Sequence, residues 1–319
     1  MRPSSAGPDL AALVAVVGPT ASGKSALALD IAERFGGEIV NFDSVQLYRG
    51  FDVGTAKTPL EQRRGIPHHL LDIVDPREHF TAGDYTQRGR AVLAEIRGRG
   101  RLPVLVGGTG FYLRALLEGL FQGPGRDEAL RRRLESRVES HPPGHLHRLL
   151  RRLDSASAGR IHPNDAPRLI RAIEVSLLAR APLSELWREG RDRLEGYRVI
   201  RIGLDPPRDQ LYQRIQQRTA LMFSNGLLDE VQSLLDAGVP RSARPFGSLG
   251  YSQALDELDG KLTREEAIES TAKRTRRYAK RQMTWFRREP DVRWFTAFGD
   301  DNAVRSEVNN LLASWLAPA

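Results

Sequence analysis

The 319-residue chain contains no cysteine. Disulfides and thiolate metal sites are therefore excluded, and a reducing compartment, the cytoplasm, fits. No stretch is long enough to span a bilayer. The apolar run at residues 10–17 is short, lacks a cleavage pattern and enters a glycine-rich loop directly, so it reads as a core strand and not a signal peptide. Internal repeats and low-complexity tracts are also missing. Acidic charge is the scarcer sign, with 40 Asp and Glu against 48 Lys and Arg, for a net charge of +8. That balance favours a polyanionic partner. The 40% hydrophobic and 28% charged content is ordinary for a soluble globular protein. The length exceeds one typical core, so a main domain with an insertion is expected. Residues 1–9 read as a disordered leader.

What is present is organised around Gly18-Pro19-Thr20-Ala21-Ser22-Gly23-Lys24-Ser25, which matches the phosphate-binding loop G-x-x-x-x-G-K-[ST] at every fixed position. Leu13–Val17 before it has strand length, and Leu27, Ile31 and Phe35 after it recur at helical spacing. Glycines let successive N–H groups converge on an anion, and the following helix adds its positive N-terminal end. Lys24 is placed to reach terminal phosphates and the Ser25 hydroxyl to ligate Mg²⁺. The loop binds a phosphate chain without specifying what is attached to it.

Residues 38–42 read as a second strand that delivers Asp43-Ser44-Val45-Gln46 at its C-terminal end, where ligands sit in open α/β sheets. Residues 47–80 are irregular, and adjacent His68 and His69 read as structural because neighbours rarely point at one ion. A helix over 84–97 leads to a strand at 103–106 that ends in Gly107-Gly108-Thr109-Gly110. The alternation implies an α/β fold, a P-loop NTPase-like parallel sheet flanked by helices. From 121 to 196 aromatics become scarce and Arg frequent at helical spacing, which marks a mostly helical insertion domain. The core is then 10–120 plus 197–319, with a returning strand at 198–204 and helices near 208–224 and 227–237.

A long helix opens at Thr263, three residues before Glu266 in a capping box, and Pro290 limits it. At about 100° per residue, Lys273, Arg274, Arg276, Arg277, Lys280, Arg281, Arg287 and Arg288 share an arc of roughly 160°. Ala267, Ile268, Ala272, Tyr278, Ala279, Met283 and Phe286 lie opposite. A one-sign face of this kind suits a nucleic-acid backbone better than a solvated surface.

The strand at 103–106 carries no carboxylate after it, unlike conventional P-loop ATPases. Asp43 is the acid nearest the loop, and three roles are open to it: metal ligand, base for an incoming nucleophile, or cap of the next segment. Thr109 is placed either to donate to a phosphate oxygen or to serve as an ordinary turn residue. A kinase with NTP in the loop and an acceptor activated by Asp43 explains these residues but leaves the basic helix and the insertion without purpose.

GPTASGKS, DSVQLY, VGTAK, HHLLDIVDP, FTAGDY, VGGTGFY, RIHPNDAPRLIRAIEV and RRYAKRQMTWFRR occur in that order. The set resembles the bacterial tRNA dimethylallyltransferase (tRNA isopentenyltransferase) family over residues 13–295. That resemblance implies transfer of the dimethylallyl group of dimethylallyl diphosphate to N6 of adenosine 37, just 3′ of the anticodon. The loop from Gly18 to Ser25 then cradles diphosphate, although such loops are commonly labelled ATP-binding. Asp43 is implied as the base for the N6 proton, and Thr109 and Arg218 as contacts to the departing diphosphate. The target base must leave its stack, with Asp43, Ser44, Val45, Gln46 and Thr109 around it. The segment Pro167-Arg168-Leu169-Ile170-Arg171 is implied to lie close to the RNA, with Arg131 as a further contact and Arg277 and Arg281 from the basic face. Pro167 replaces the glutamine of some members and has no donor to offer a base. The C-terminal zinc module of eukaryotic relatives is absent. The expected partners are the tRNA anticodon stem-loop and dimethylallyl diphosphate, with Mg²⁺ as cofactor, no membrane, and a monomeric enzyme.

Overall fold

In the computed structural model, which describes residues 10–188 and 191–317, six strands form one wholly parallel sheet. The leader expected at 1–9 lies outside the described residues. The first elements are β1 (Ala11–Val17), α1 (Lys24–Phe35), β2 (Gly37–Asn41), β3 (His68–His69), α2 (Ala82–Gly98), β4 (Leu102–Val106) and α3 (Gly110–Glu118). Helices α4 (Glu128–Ser140), α5 (His145–Leu153), α6 (Ser155–Ala158), α7 (Ala166–Ala179) and α8 (Leu183–Leu186) follow without a strand. The chain returns to the sheet with β5 (Tyr197–Leu204), continues through α9 (Arg208–Ser224), α10 (Leu227–Asp236), α11 (Tyr251–Leu258) and α12 (Arg264–Phe286), and ends with β6 (Val292–Phe295) and α13 (Asn302–Leu316).

Met1–Leu116 with Leu194–Ala319 make one compact unit and Leu117–Arg193 a second. The change in composition sets these boundaries a few residues later, at 121 and 196. In the first unit the strand order is β3-β2-β4-β1-β5-β6. β1 and β4 are buried on both faces, the reason each reads as an unbroken apolar run. One face is closed by Leu27 and Ile31 of α1 and Val304, Val308 and Leu312 of α13, packed on Val14, Val16, Val104 and Ile202. Tyr85, Leu93 and Ile96 bury the inner stripe of α2, whose Thr81 and Asp84 form a reciprocal cap. The Asp43 turn ends the strand that follows the loop and α1 in sequence, but β4 pairs with both β1 and β2 and separates them. Gly107 and Gly108 therefore stand between the loop and Asp43.

The long helix α12 begins with its predicted capping box, Thr263 with Glu266. It packs on α9 and α11, with Leu211, Ile215, Ala272, Ala279 and Phe298 in one apolar cluster. In the second unit Leu134, Leu146, Leu150, Leu169, Ile170 and Ile173 make an independent core.

Candidate active site

The phosphate loop joins β1 to α1 with positive φ at Gly18 (143°), Ala21 (64°) and Gly23 (85°). Gly23 is required twice: its backbone is left-handed, and an added Cβ would stand 2.8 Å from Gly299 N. The first bond of α1 runs from Leu27 N to Gly23 O. The amides of Lys24, Ser25 and Ala26 thus have no acceptor within the helix, and these residues line a cavity of about 300 Å³. Lys24 Nζ donates to Pro19 O at 2.6 Å. Burial, with Arg218 nearby adding to it and Asp43 opposing it, lowers the Lys24 pKa to about 7.

Arg218 reaches the loop from α9. Its Nη1 donates to Thr20 Oγ1 at 3.2 Å and its Nη2 to Thr55 O at 3.3 Å, while Nε is buried with no partner among the described residues. Burial lowers its pKa and the Asp43 charge raises it, but guanidinium stays charged at any working pH.

The structure divides the roles of Asp43 between its two oxygens. Oδ1 accepts from Val45 N at 2.9 Å and Gln46 N at 3.4 Å, which is the capping reading. Oδ2 has no hydrogen bond among the described residues, and Asp43 lines the cavity. Asn41 Oδ1 accepts from Asp43 N, and Asn41 Nδ2 donates to Leu70 O, so the turn is held from β2. Thr109 serves the same turn: its hydroxyl accepts from Ser44 N at 3.0 Å and donates to Ser44 Oγ at 3.1 Å. Gln46 Nε2 donates to Thr55 O.

A second cavity, of about 360 Å³, opens from the first and shares Thr20, Ala21, Asp43, Thr55, Arg218 and Tyr278 with it. Val45, Ile215, Met222 and Leu249 give it an apolar wall, and Arg281 stands at its edge. One space thus offers anion-binding amides and cations, a free carboxylate oxygen, and an apolar compartment.

The sequence reading missed Tyr278 and Gln282 as parts of this site. Both lie on the inner side of α12 and line the phosphate cavity. Burial, with the Asp43 charge adding to it, raises the Tyr278 pKa, so its phenol is neutral. A glutamine on the apolar arc of an amphipathic helix was the available signal for Gln282. Lys57 was missed too: its buried ammonium pairs with Asp52 and Asp72 and donates to Tyr48 O, bracing the loop that carries Thr55.

On the outer face of α12, Lys273, Arg274, Arg277, Lys280 and Arg281 are exposed, as is Arg288 in the turn just past its end. Arg277, Lys280, Arg281, Thr284, Trp285 and Arg288 line an open groove of about 330 Å³. The one-sign arc is neutralised at one position and partly withdrawn from solvent at another. Arg287 pairs with Asp205 at 2.8 Å, and Arg276 is half-buried and donates to Gln216.

In the second unit the implied RNA contacts divide. Arg168 is exposed, beside Asp165 at 3.4 Å, and Pro167 sits in the first turn of α7. Leu169 and Ile170 are 1% and 4% exposed in the core of that unit. A buried side chain does not touch RNA, so these two are corrected to packing residues. Arg131 donates from Nε and Nη2 to the fully buried Glu174, both at 2.8 Å. Arg171 donates to Glu174 and to Pro124 O. Burial would raise the Glu174 pKa, but these hydrogen bonds outweigh it and hold the carboxyl at about 2. The Arg131 guanidinium is a core ion pair and not a free RNA contact.

His69 pairs with Glu38 at 2.6 Å and His68 Nδ1 contacts Ile66 O, along the edge strand β3. Among the described residues no group of three or more His, Cys, Asp or Glu is placed to hold a metal, and no helix is long and apolar enough to cross a membrane.

The family model described as IPP transferase matches residues 46–289, and the one described as isopentenyl transferase matches 11–72. A tRNA dimethylallyltransferase of Solibacter usitatus is 57% identical, over 95% of this chain and 99% of the relative; one of Koribacter versatilis is 56% identical, over 94% and 97%. The full-length tRNA isopentenylpyrophosphate transferase of Bacillus halodurans superposes with TM-score 0.70 at 42% identity, covering 95% of each chain. A eukaryotic dimethylallyltransferase solved acting on tRNA gives 0.79 at 28% identity, covering 95% of this chain and 80% of that one.

Proposed function

The chain belongs to the IPP transferase family and transfers a dimethylallyl group to tRNA; on that premise we propose that its donor is dimethylallyl diphosphate and its acceptor N6 of adenosine 37. The observation that carries this reading is the joining of the phosphate cavity to an apolar-walled one at the unpaired oxygen of Asp43. The phosphate chain takes the amides of Lys24, Ser25 and Ala26 and the charges of Lys24 and Arg218. The prenyl tail lies toward Ile215, Met222 and Leu249. The N6 lone pair forms the bond to the prenyl C1 as the C1–O bond breaks, the electron pair leaves on diphosphate, and the N6 proton passes to Asp43 Oδ2. An exocyclic amine becomes acidic only on attack, so a carboxylate at that position is a competent acceptor. The fixed cations stabilise the diphosphate more as it gains charge than before.

Mg²⁺ fits at the exposed Ser25 hydroxyl together with the donor's own oxygens, Asp43 being the one carboxylate that lines that cavity among the described residues. When bound it neutralises part of the leaving-group charge. Arg277, Lys280 and Arg281 on the outer face of α12, with Arg288 just past its end, hold the tRNA backbone, and in the second unit the exposed Arg168, paired with Asp165, is the implied contact. The enzyme works as a cytoplasmic monomer. Purified protein incubated with unmodified tRNA and dimethylallyl diphosphate should yield N6-prenyladenosine by nucleoside mass analysis, and ATP should yield no product. Phosphoryl transfer from ATP without prenylation would favour the kinase reading instead.

A further inference from the structure

One side chain connects the phosphate loop to the end of β4. Gln282 is 4% exposed; its Oε1 accepts from Thr20 N at 2.8 Å and its Nε2 donates to Gly108 O at 2.9 Å. Gly108 makes room for it, because an added Cβ there would lie 2.4 Å from Gln282 Nε2. Tyr278, one turn earlier, directs its hydroxyl at the same carbonyl at 3.4 Å. Thr20 is also fixed through its hydroxyl by Arg218. The loop is therefore set from outside its own strand and helix, by α12 at its backbone and α9 at its side chain. A neutral amide accepts from an N–H and donates to a C=O in one planar group at every working pH, which a carboxyl does only while protonated. Methionine fills the same volume and satisfies neither partner, while a carboxylate repels the Gly108 carbonyl.

We propose that Gln282 is a positioning residue that keeps the phosphate loop in register with the Gly107-Gly108 end of β4. The proposal rests on the donor assignment above. It holds the amides of Lys24 to Ala26 and the Asp43 carboxylate at a constant separation across the donor. It does so from the helix whose outer face carries Arg277, Lys280 and Arg281.

The test is calorimetric titration of inorganic diphosphate into the full chain, comparing wild type, Gln282→Met and Gln282→Glu between pH 5.5 and 8.5. Protonated glutamic acid is an isostere of glutamine, with a hydroxyl for Gly108 O and a carbonyl for Thr20 N. Burial against a carbonyl raises its pKa and the Lys24 and Arg218 charges oppose that, so the acid end of the range holds the larger protonated fraction. Lys24, Arg218, Asp43 and Tyr278 face the position, and the Gln282→Met variant, titrated over the same range, records their contribution with no titrating group at 282. Gln282→Met should weaken diphosphate binding by about tenfold or more, since two buried groups lose their partners. Its affinity for an anticodon stem-loop RNA should stay unchanged. For Gln282→Glu the ratio of variant to wild-type affinity should approach one at the acid end and fall to about a tenth as the carboxyl ionises. If the Met variant does not fold, the Glu variant at acid pH carries the test. A flat ratio, or a Met variant within about twofold of wild type, overturns the role of Gln282 alone. Wild-type protein that ignores diphosphate overturns the donor assignment and this proposal with it.

Discussion

Binding of diphosphate should draw a proton onto Lys24. The ammonium is held at about 7 by burial and by Arg218, against the pull of Asp43. At pH 8 about nine-tenths of Lys24 is therefore neutral in the free protein. A polyanion in the cavity opposes the field of Arg218 and favours the charged form, returning the pKa toward the ordinary 10.5. Uptake should approach about 0.9 proton per site, and affinity should fall by up to about tenfold per pH unit above neutrality. Stability runs the other way. A lysine whose folded pKa lies below its unfolded value makes the unfolded chain bind more protons between pH 7 and 10.5, so the free protein gains stability as pH rises through that window. Titration calorimetry at pH 8 in two buffers of different ionisation enthalpy reads the uptake directly. Lys24→Arg keeps a cation that does not titrate and subtracts the protons taken or released by diphosphate itself. Equal uptake in wild type and Lys24→Arg would show that Lys24 is already charged, and the reasoning would be wrong.

Asp43→Asn preserves the Oδ1 acceptor of the turn and removes the base, so both substrates should bind while single-turnover rates drop by about 10²–10⁴; recovery at raised Mg²⁺ would make Asp43 a metal ligand. Arg277→Glu with Arg281→Glu should raise the tRNA KM, leave the donor KM alone and reduce the salt slope by roughly one for each phosphate no longer neutralised, with little change in choice among tRNAs; an unchanged slope in the folded double variant would move the RNA path elsewhere. Arg131→Ala leaves the buried Glu174 carboxylate with half its compensation and should destabilise the helical unit by about 3 kcal/mol, read by denaturant melting; a loss under ~1 kcal/mol would place Glu174 in contact with water. Since the Glu174 pKa is depressed to about 2, its contribution is present above the ordinary value of 4.5 and should fade as pH drops from 4.5 toward 2.

Patterns local in the chain were legible from the residues alone. The phosphate loop, its strand and helix, the capping box at Thr263, and the buried runs of β1 and β4 depend on neighbours a few positions away. Local hydrogen-bonding geometry and apolar periodicity mark such features in the sequence, although the strands form only once they pair. Asp43 was legible as the acid that the second strand delivers at its C-terminal end, and it lines the phosphate cavity, whereas Asp300, packed against Gly23, was not. Other elements escaped: α3, α11 and α13, and the short β3 and β6, whose existence depends on pairing with β2 and β5. Tertiary structure alone decided that β4 lies between β1 and β2, because strand order is a matter of long-range pairing. It assigned Oδ1 of Asp43 to the turn and left Oδ2 free, turned the Thr109 hydroxyl toward Ser44, and placed Arg131 against Glu174 in a core. It also brought Gln282 to Thr20 across 262 residues. A side chain's polar partner is chosen by which elements pack together, and burial then removes water as the alternative partner. No window of sequence around the residue contains that information.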